Sequence, residues 1–181
     1  MSEFKKMAYA KEEQYDMEMF ERLAKKYPIM FNRYCQTEYG VPFDVFNMTQ
    51  TGGTYAVELK SRGYKSEDCF IEMVKFARLR DLWREREILP VYICFYPIEQ
   101  ETYMWVLSEV KSVKPYLDIV VTDCSGEKKT ADRFGLSFED AVQFDKDFNI
   151  VRKPKYMGKA PKYRDSDIMD NKITINNWNR I

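Results

Sequence analysis

The sequence predicts a mixed α/β layer fold, and three stretches carry that expectation. Residues 11–27 repeat apolar side chains at helical spacing, residues 43–60 read as two strands meeting at Gly52-Gly53, and residues 90–97 form a continuous apolar run of buried-strand type. Helical and extended signals that alternate in this way are the pattern of a sheet layered with helices.

Taken in order, residues 11–27 place Met19, Phe20, Leu23, Ala24 and Tyr27 on one stripe, with acids leading, Lys25-Lys26 trailing and Pro28 closing the helix. Residues 29–37 are ambiguous and compatible with a first strand. FDVFNMT and TYAVELKS then form a hairpin, because the paired glycines supply the positive φ of a tight turn. Ser66 is a good N-cap, with Glu67 and Asp68 in the first turn, so a helix is predicted from there to about Arg86. PVYICFYP (90–97) and TYMWVL (102–107) follow as strands, LDIVVTD (117–123) as another, Cys124-Ser125-Gly126 as a turn, and Ser137 as the start of a short helix.

The 181 residues suit a single domain, expected over 1–150, and 12 Phe, 13 Tyr and 3 Trp supply a core. Residues 151–181 open with VRKPKYMGKAPKYR, which holds six basic residues, no acid, two prolines and one glycine. That composition predicts an irregular basic tail. Arg152, Lys153, Lys155, Lys159, Lys162 and Arg164 there, together with Arg62, are candidate phosphate contacts, and Tyr156 and Tyr163 are candidates for base stacking. The competing reading is a solvated loop neutralised by Asp165, Asp167 and Asp170.

Charge narrows the function. The 29 basic and 29 acidic residues cancel, so a polyanionic partner must be held by a local patch. The chain has no His, and its four cysteines, at 35, 69, 94 and 124, form no CxxC. A His-containing zinc site, a Ser-His or Cys-His nucleophile and imidazole base catalysis are thereby excluded. The first residues show no apolar signal segment, and no apolar run approaches the ~20 residues of a membrane span. A cytoplasmic protein with reduced thiols and no membrane partner is expected. A homodimer is compatible with the sequence.

The hairpin concentrates the chemistry. Ala56, Glu58 and Lys60 alternate with Tyr55, Val57 and Leu59, so a carboxylate and an amine share one strand face. Asp44 lies on the partner strand, within reach of Glu58 if the strands pair. The spacing [DE]-x-K is not unique to Glu58/Lys60; it recurs at Glu109/Lys111, Glu127/Lys129 and Asp170/Lys172, among others. Only Glu58 follows an acid on a hairpin partner and precedes a predicted helix. The alternative for Glu58 is a simple ion pair with Lys60 on a wet sheet face.

These residues resemble the PD-(D/E)XK nuclease superfamily, over roughly residues 11–107. The resemblance implies a restriction-endonuclease-like fold, a mixed sheet flanked by helices with an α-β-β-β-α-β core. It implies Asp44 and Glu58 as metal ligands and Lys60 as the catalytic amine. Members often add an acid from the first helix, for which Glu13 and Asp16 are both candidates. One departure is Pro42, two residues before Asp44 rather than adjacent to it. The expectation is therefore a nuclease dependent on Mg²⁺ or Mn²⁺, hydrolysing phosphodiesters in DNA; Mg²⁺ is hard and binds through one or two carboxylates plus waters and substrate phosphate. Two alternatives stand beside it, an inactive nuclease-like fold that binds nucleic acid or protein, and an assembly protein using its basic arm.

Overall fold

The structure is a computed structural model that describes residues 3–38, 41–111, 113–122, 126 and 128–154. Helix α1 (Glu3–Lys26) begins well before the predicted Lys11 and ends, as its sequence requires, ahead of Pro28. Its stripe buries Phe20, Leu23 and Ala24, with Met19 and Tyr27 at the margin. The Tyr27 hydroxyl donates to the Phe148 carbonyl at 2.6 Å, and the Lys26 ammonium donates to the Asp147 carbonyl, so the helix C-terminus is tied to the far end of the domain.

Strands β1 (Arg33–Gln36), β2 (Val45–Met48) and β3 (Thr54–Ser61) form an antiparallel meander in which Val45 pairs with Val57. The turn between β2 and β3 uses Gly52 at φ 93° and is clamped by Thr49, whose Oγ1 accepts the Gly53 N–H at 2.9 Å. A positive φ is nearly free for glycine and costly for other residues.

The predicted 66–86 helix is corrected at its start. Ser66 does not cap a helix; its hydroxyl donates to the Asp68 carbonyl, and Cys69–Glu72 form a strand, β4, before α2 (Met73–Arg86) begins. Cys69 and Ile71 point into the core while Phe70 and Glu72 do not, a period-two pattern that pairing with a distant strand favours over the local capping signal.

Strand β5 (Leu89–Tyr96) is buried along its whole length and pairs in parallel with β3, Glu58 lying beside Tyr92 and Lys60 beside Cys94. Strands β6 (Glu101–Val106), β7 (Val113–Thr122), β8 (Lys128–Leu136), β9 (Val142–Phe144) and β10 (Ile150–Arg152) follow, with a 3₁₀ turn at Phe138–Asp140 capped by the Ser137 hydroxyl. The result is a mixed α/β fold. Seven strands are ordered β1-β2-β3-β5-β6-β9-β10, and a second sheet is ordered β4-β8-β7. One core lies between α1 and the large sheet, around Phe20, Val57 and Ile93; the other lies under α2 and the second sheet, around Phe76, Leu79 and Trp105.

Strand β10 crosses the expected boundary at residue 150, so the basic segment starts as part of the large sheet rather than as an irregular tail. Among the described residues no helix is long and apolar enough to cross a membrane.

Candidate active site

Strand β3 is central because its apolar residues serve both cores: Tyr55, Val57 and Leu59 face one, Ala56 the other. Glu58 continues the Ala56 face and is therefore carried into the interior, only 4% exposed. Asp44 immediately precedes β2, and the Val45–Val57 register sets it across from Glu58. Its N–H donates to the Val57 carbonyl at 3.0 Å, and its Oδ2 accepts the Leu59 N–H at 2.7 Å. The backbone of β3 thus fixes the Asp44 carboxylate at the end of the hairpin.

One Glu58 oxygen, Oε1, accepts from the Lys75 ammonium on α2 at 2.5 Å, while Oε2 has no hydrogen-bond partner. Burial, followed by the negative charge of Asp44, pushes the Glu58 carboxyl up to about 8, against the pull of Lys75 and Lys60. Burial also opposes the Lys75 charge, but Glu58 and Asp44 outweigh it and hold the ammonium above its ordinary value.

Helix α1 adds a third buried acid. Asp16 is 6% exposed and its Oδ1 is also without a hydrogen-bond partner. Burial pushes its carboxyl up to about 7; the Ser61 hydroxyl and Lys60 pull it down, and Glu12 and Asp44 push it up. Glu12, one helical turn from Asp16, is ion-paired with the Lys60 ammonium. Four carboxylates therefore face two ammonium groups across α1, β2, β3 and α2, and burial of this excess negative charge is what holds two of the acids partly protonated near neutrality.

The predicted trio of Asp44, Glu58 and Lys60 is gathered at one place, and Asp16 joins it, whereas Glu13 is exposed on the helix surface. Arg62 lines the neighbouring cleft, its guanidinium donating to the Phe70 carbonyl and to the Tyr92 hydroxyl at 3.3 Å. Arg152 is likewise anchored, donating to the Phe138 carbonyl at 2.6 Å, and Lys153 is exposed just beyond β10. Lys155, Lys159, Lys162 and Arg164 lie outside the described residues.

Sequence reasoning missed Glu12, Ser61 and Lys75. The Glu12–Asp16 spacing was a usable signal, because residues four apart share a helix face. Lys75 had none, since only the packing of α2 on the sheet brings it to Glu58.

Among the described residues, no three His, Cys, Asp or Glu side chains form a ready-made metal cage. The donor set nevertheless suits a hard divalent cation. Mg²⁺ needs one or two carboxylates and takes its remaining ligands from water and substrate, and Glu58 Oε2 and Asp16 Oδ1 are buried oxygens with lone pairs unused. The chain matches no family model, no curated protein and no solved structure.

Proposed function

We propose that this chain is a metal-dependent nuclease of the PD-(D/E)XK kind, with a restriction-endonuclease-like fold, that hydrolyses phosphodiester bonds in DNA. The observation that carries this reading is the meeting of Asp44, Glu58 and Lys60 across the β2–β3 hairpin, joined by Asp16, with a buried Glu58 oxygen left unsatisfied. The element order α1-β1-β2-β3-β4-α2-β5 contains the α-β-β-β-α-β succession with one added strand, β4, before α2, which supports the reading.

Asp44, Glu58 and Asp16 would hold Mg²⁺ or Mn²⁺. When bound, the cation supplies Lewis acidity toward the scissile phosphate and lowers the pKa of a water. The protein's own groups do the rest. The Leu59 N–H keeps one Asp44 oxygen directed along the hairpin end. Lys75 fixes Glu58 through Oε1, leaving Oε2 as the available donor. Lys60, partly exposed and ion-paired with Glu12, brings its ammonium to the cleft edge, where it would stabilise negative charge developing on phosphate oxygens or orient the attacking water. A pair of acids with raised pKa values makes activity rise as pH increases through about 7–8, the range over which Asp16 and Glu58 lose their protons.

The test is incubation of the purified protein with single-stranded, duplex and branched DNA plus Mg²⁺ or Mn²⁺. Cleavage lost in Glu58→Ala and Lys60→Ala supports the reading, and cleavage that persists in Glu58→Ala defeats it. A second reading, a nuclease-like fold kept for binding, is favoured by the two ion pairs, Lys75 with Glu58 and Lys60 with Glu12, which already neutralise two acids. Calorimetric titration with Mg²⁺ separates the two, because a binding scaffold shows no heat that depends on Asp44 and Glu58.

A further inference from the structure

A cleft of about 580 Å³ adjoins the carboxylate cluster, meeting it at Glu12, Lys60 and Ser61. Its walls come from different layers: α1 supplies Lys11, the loop after β3 supplies Tyr64, and the second sheet supplies Lys129 and Arg133 from β8. The large sheet and the small one thus both line the same space, beside the proposed catalytic Lys60.

The lining is basic in a chain of zero net charge. Five Lys and Arg face two acids, and those two are engaged, Glu12 with Lys60 and Glu72 with Arg133 at 3.9 Å. Lys11 and Lys129 have no such partner among the described residues, and both are exposed. Four aromatic rings share the lining, and one of them, Tyr64, is 76% exposed on the loop that directly follows the Glu58-Lys60 strand. Cationic side chains beside aromatic faces are the combination that binds an unpaired strand: the charges follow the phosphates and the rings stack on bases. A duplex keeps its base faces stacked inside and offers nothing to Tyr64. The volume falls in the range of small-molecule pockets, about 300–1,000 Å³, which suits nucleotides entering singly and not a paired helix.

We propose that this cleft leads a single-stranded segment of nucleic acid to the carboxylate cluster, with Tyr64 stacked on a base and Lys11 and Lys129 on phosphates to either side. The proposal rests on the nuclease reading for the class of polyanion. It makes the substrate an overhang, a frayed end or a free strand, with Lys129 and Arg133 of β8 forming one wall of its path.

The experiment is fluorescence anisotropy in EDTA, where no cleavage occurs, with a labelled oligothymidylate and a blunt duplex of equal length. The single strand should bind more tightly than the duplex, and Tyr64→Ala should weaken it roughly tenfold or more, the worth of a stacked base. The double variant Lys11→Gln/Lys129→Gln should reduce the slope of log affinity against log salt by about 1.4, from two lost phosphate contacts on a single strand. All three side chains are exposed, and circular dichroism checks that the variants remain folded. Duplex binding equal to single-strand binding, or variants that bind like the wild type, overturns the proposal. Single-strand binding without cleavage in Mg²⁺ supports the cleft while sinking the nuclease reading. Cleavage of single strands that is unchanged in Tyr64→Ala and in the double lysine variant overturns the cleft and leaves the nuclease reading standing.

Discussion

Substituting Glu58 by Gln should stabilise the metal-free protein at neutral pH while abolishing its response to Mg²⁺. Glu58 is 4% exposed, so solvent does little to screen it. Its carboxyl lies at about 8 in the folded chain against an ordinary 4.5, which the unfolded chain restores. A raised acid pKa means that the folded state holds the proton longer. The stability linked to that proton is complete below about 4.5 and is lost progressively as pH rises to about 8. At ~1.36 kcal/mol per tenfold, the loss by pH 7 is on the order of 3 kcal/mol, a large share of the roughly 5–15 kcal/mol typical of a folded domain. Gln mimics the protonated carboxyl and has no such dependence. Urea unfolding in EDTA from pH 5 to pH 8 should therefore show a steep decline for the wild type and a flatter curve for Glu58→Gln, the two separating most at pH 8. Adding Mg²⁺ at a hundredfold excess over its dissociation constant should return about 2.7 kcal/mol to the wild type and little to the variant. Parallel pH curves, or a variant less stable than the wild type at pH 8 without metal, would refute the assignment of Glu58 as a buried, frustrated carboxylate.

Three further outcomes follow from the same geometry. Lys75→Met should push the Glu58 carboxyl up further, because the ammonium pulls it down, so the decline of stability with pH in the same urea titration should continue beyond pH 8, and the double variant Lys75→Met/Glu58→Gln should flatten it. Asp16→Asn should weaken Mg²⁺ binding by calorimetry, whereas Glu13→Gln, on the exposed side of α1, should leave it unchanged. Gly135→Ala should lower the melting temperature with a loss of about 1–3 kcal/mol, since its Cβ would fall 2.7 Å from the Tyr116 ring and 2.9 Å from Asp68 Oδ2, the atom that accepts the Tyr116 hydroxyl.

The hairpin was legible because two local signals agreed. The Gly52-Gly53 turn sets where the chain reverses, and period-two alternation in TYAVELK then decides which side chains share a face. The same locality made the α1 stripe readable. Where the sequence misled, a distant partner decided the outcome. Ser66-Glu67-Asp68 is a sound capping pattern, yet Cys69 and Ile71 are worth more in the second core, reached by pairing with β8 more than 60 residues later. The choice between Glu13 and Asp16 turned on the rotation of α1 about its axis, which packing sets and composition does not. Lys75 illustrates the limit most sharply, because its proximity to Glu58 depends on how a helix crosses a sheet. The expected basic tail began as a strand because Ile150 has a partner in Phe144.

The parallel alignment of β3 with β5 bears on biosynthesis. Until a growing chain has reached Tyr96, strand β3 lacks the partner that covers one of its edges. A chain that stops before that point holds every acid of the cluster, Glu12, Asp16, Asp44 and Glu58, but lacks the strand that flanks Glu58 in the finished sheet.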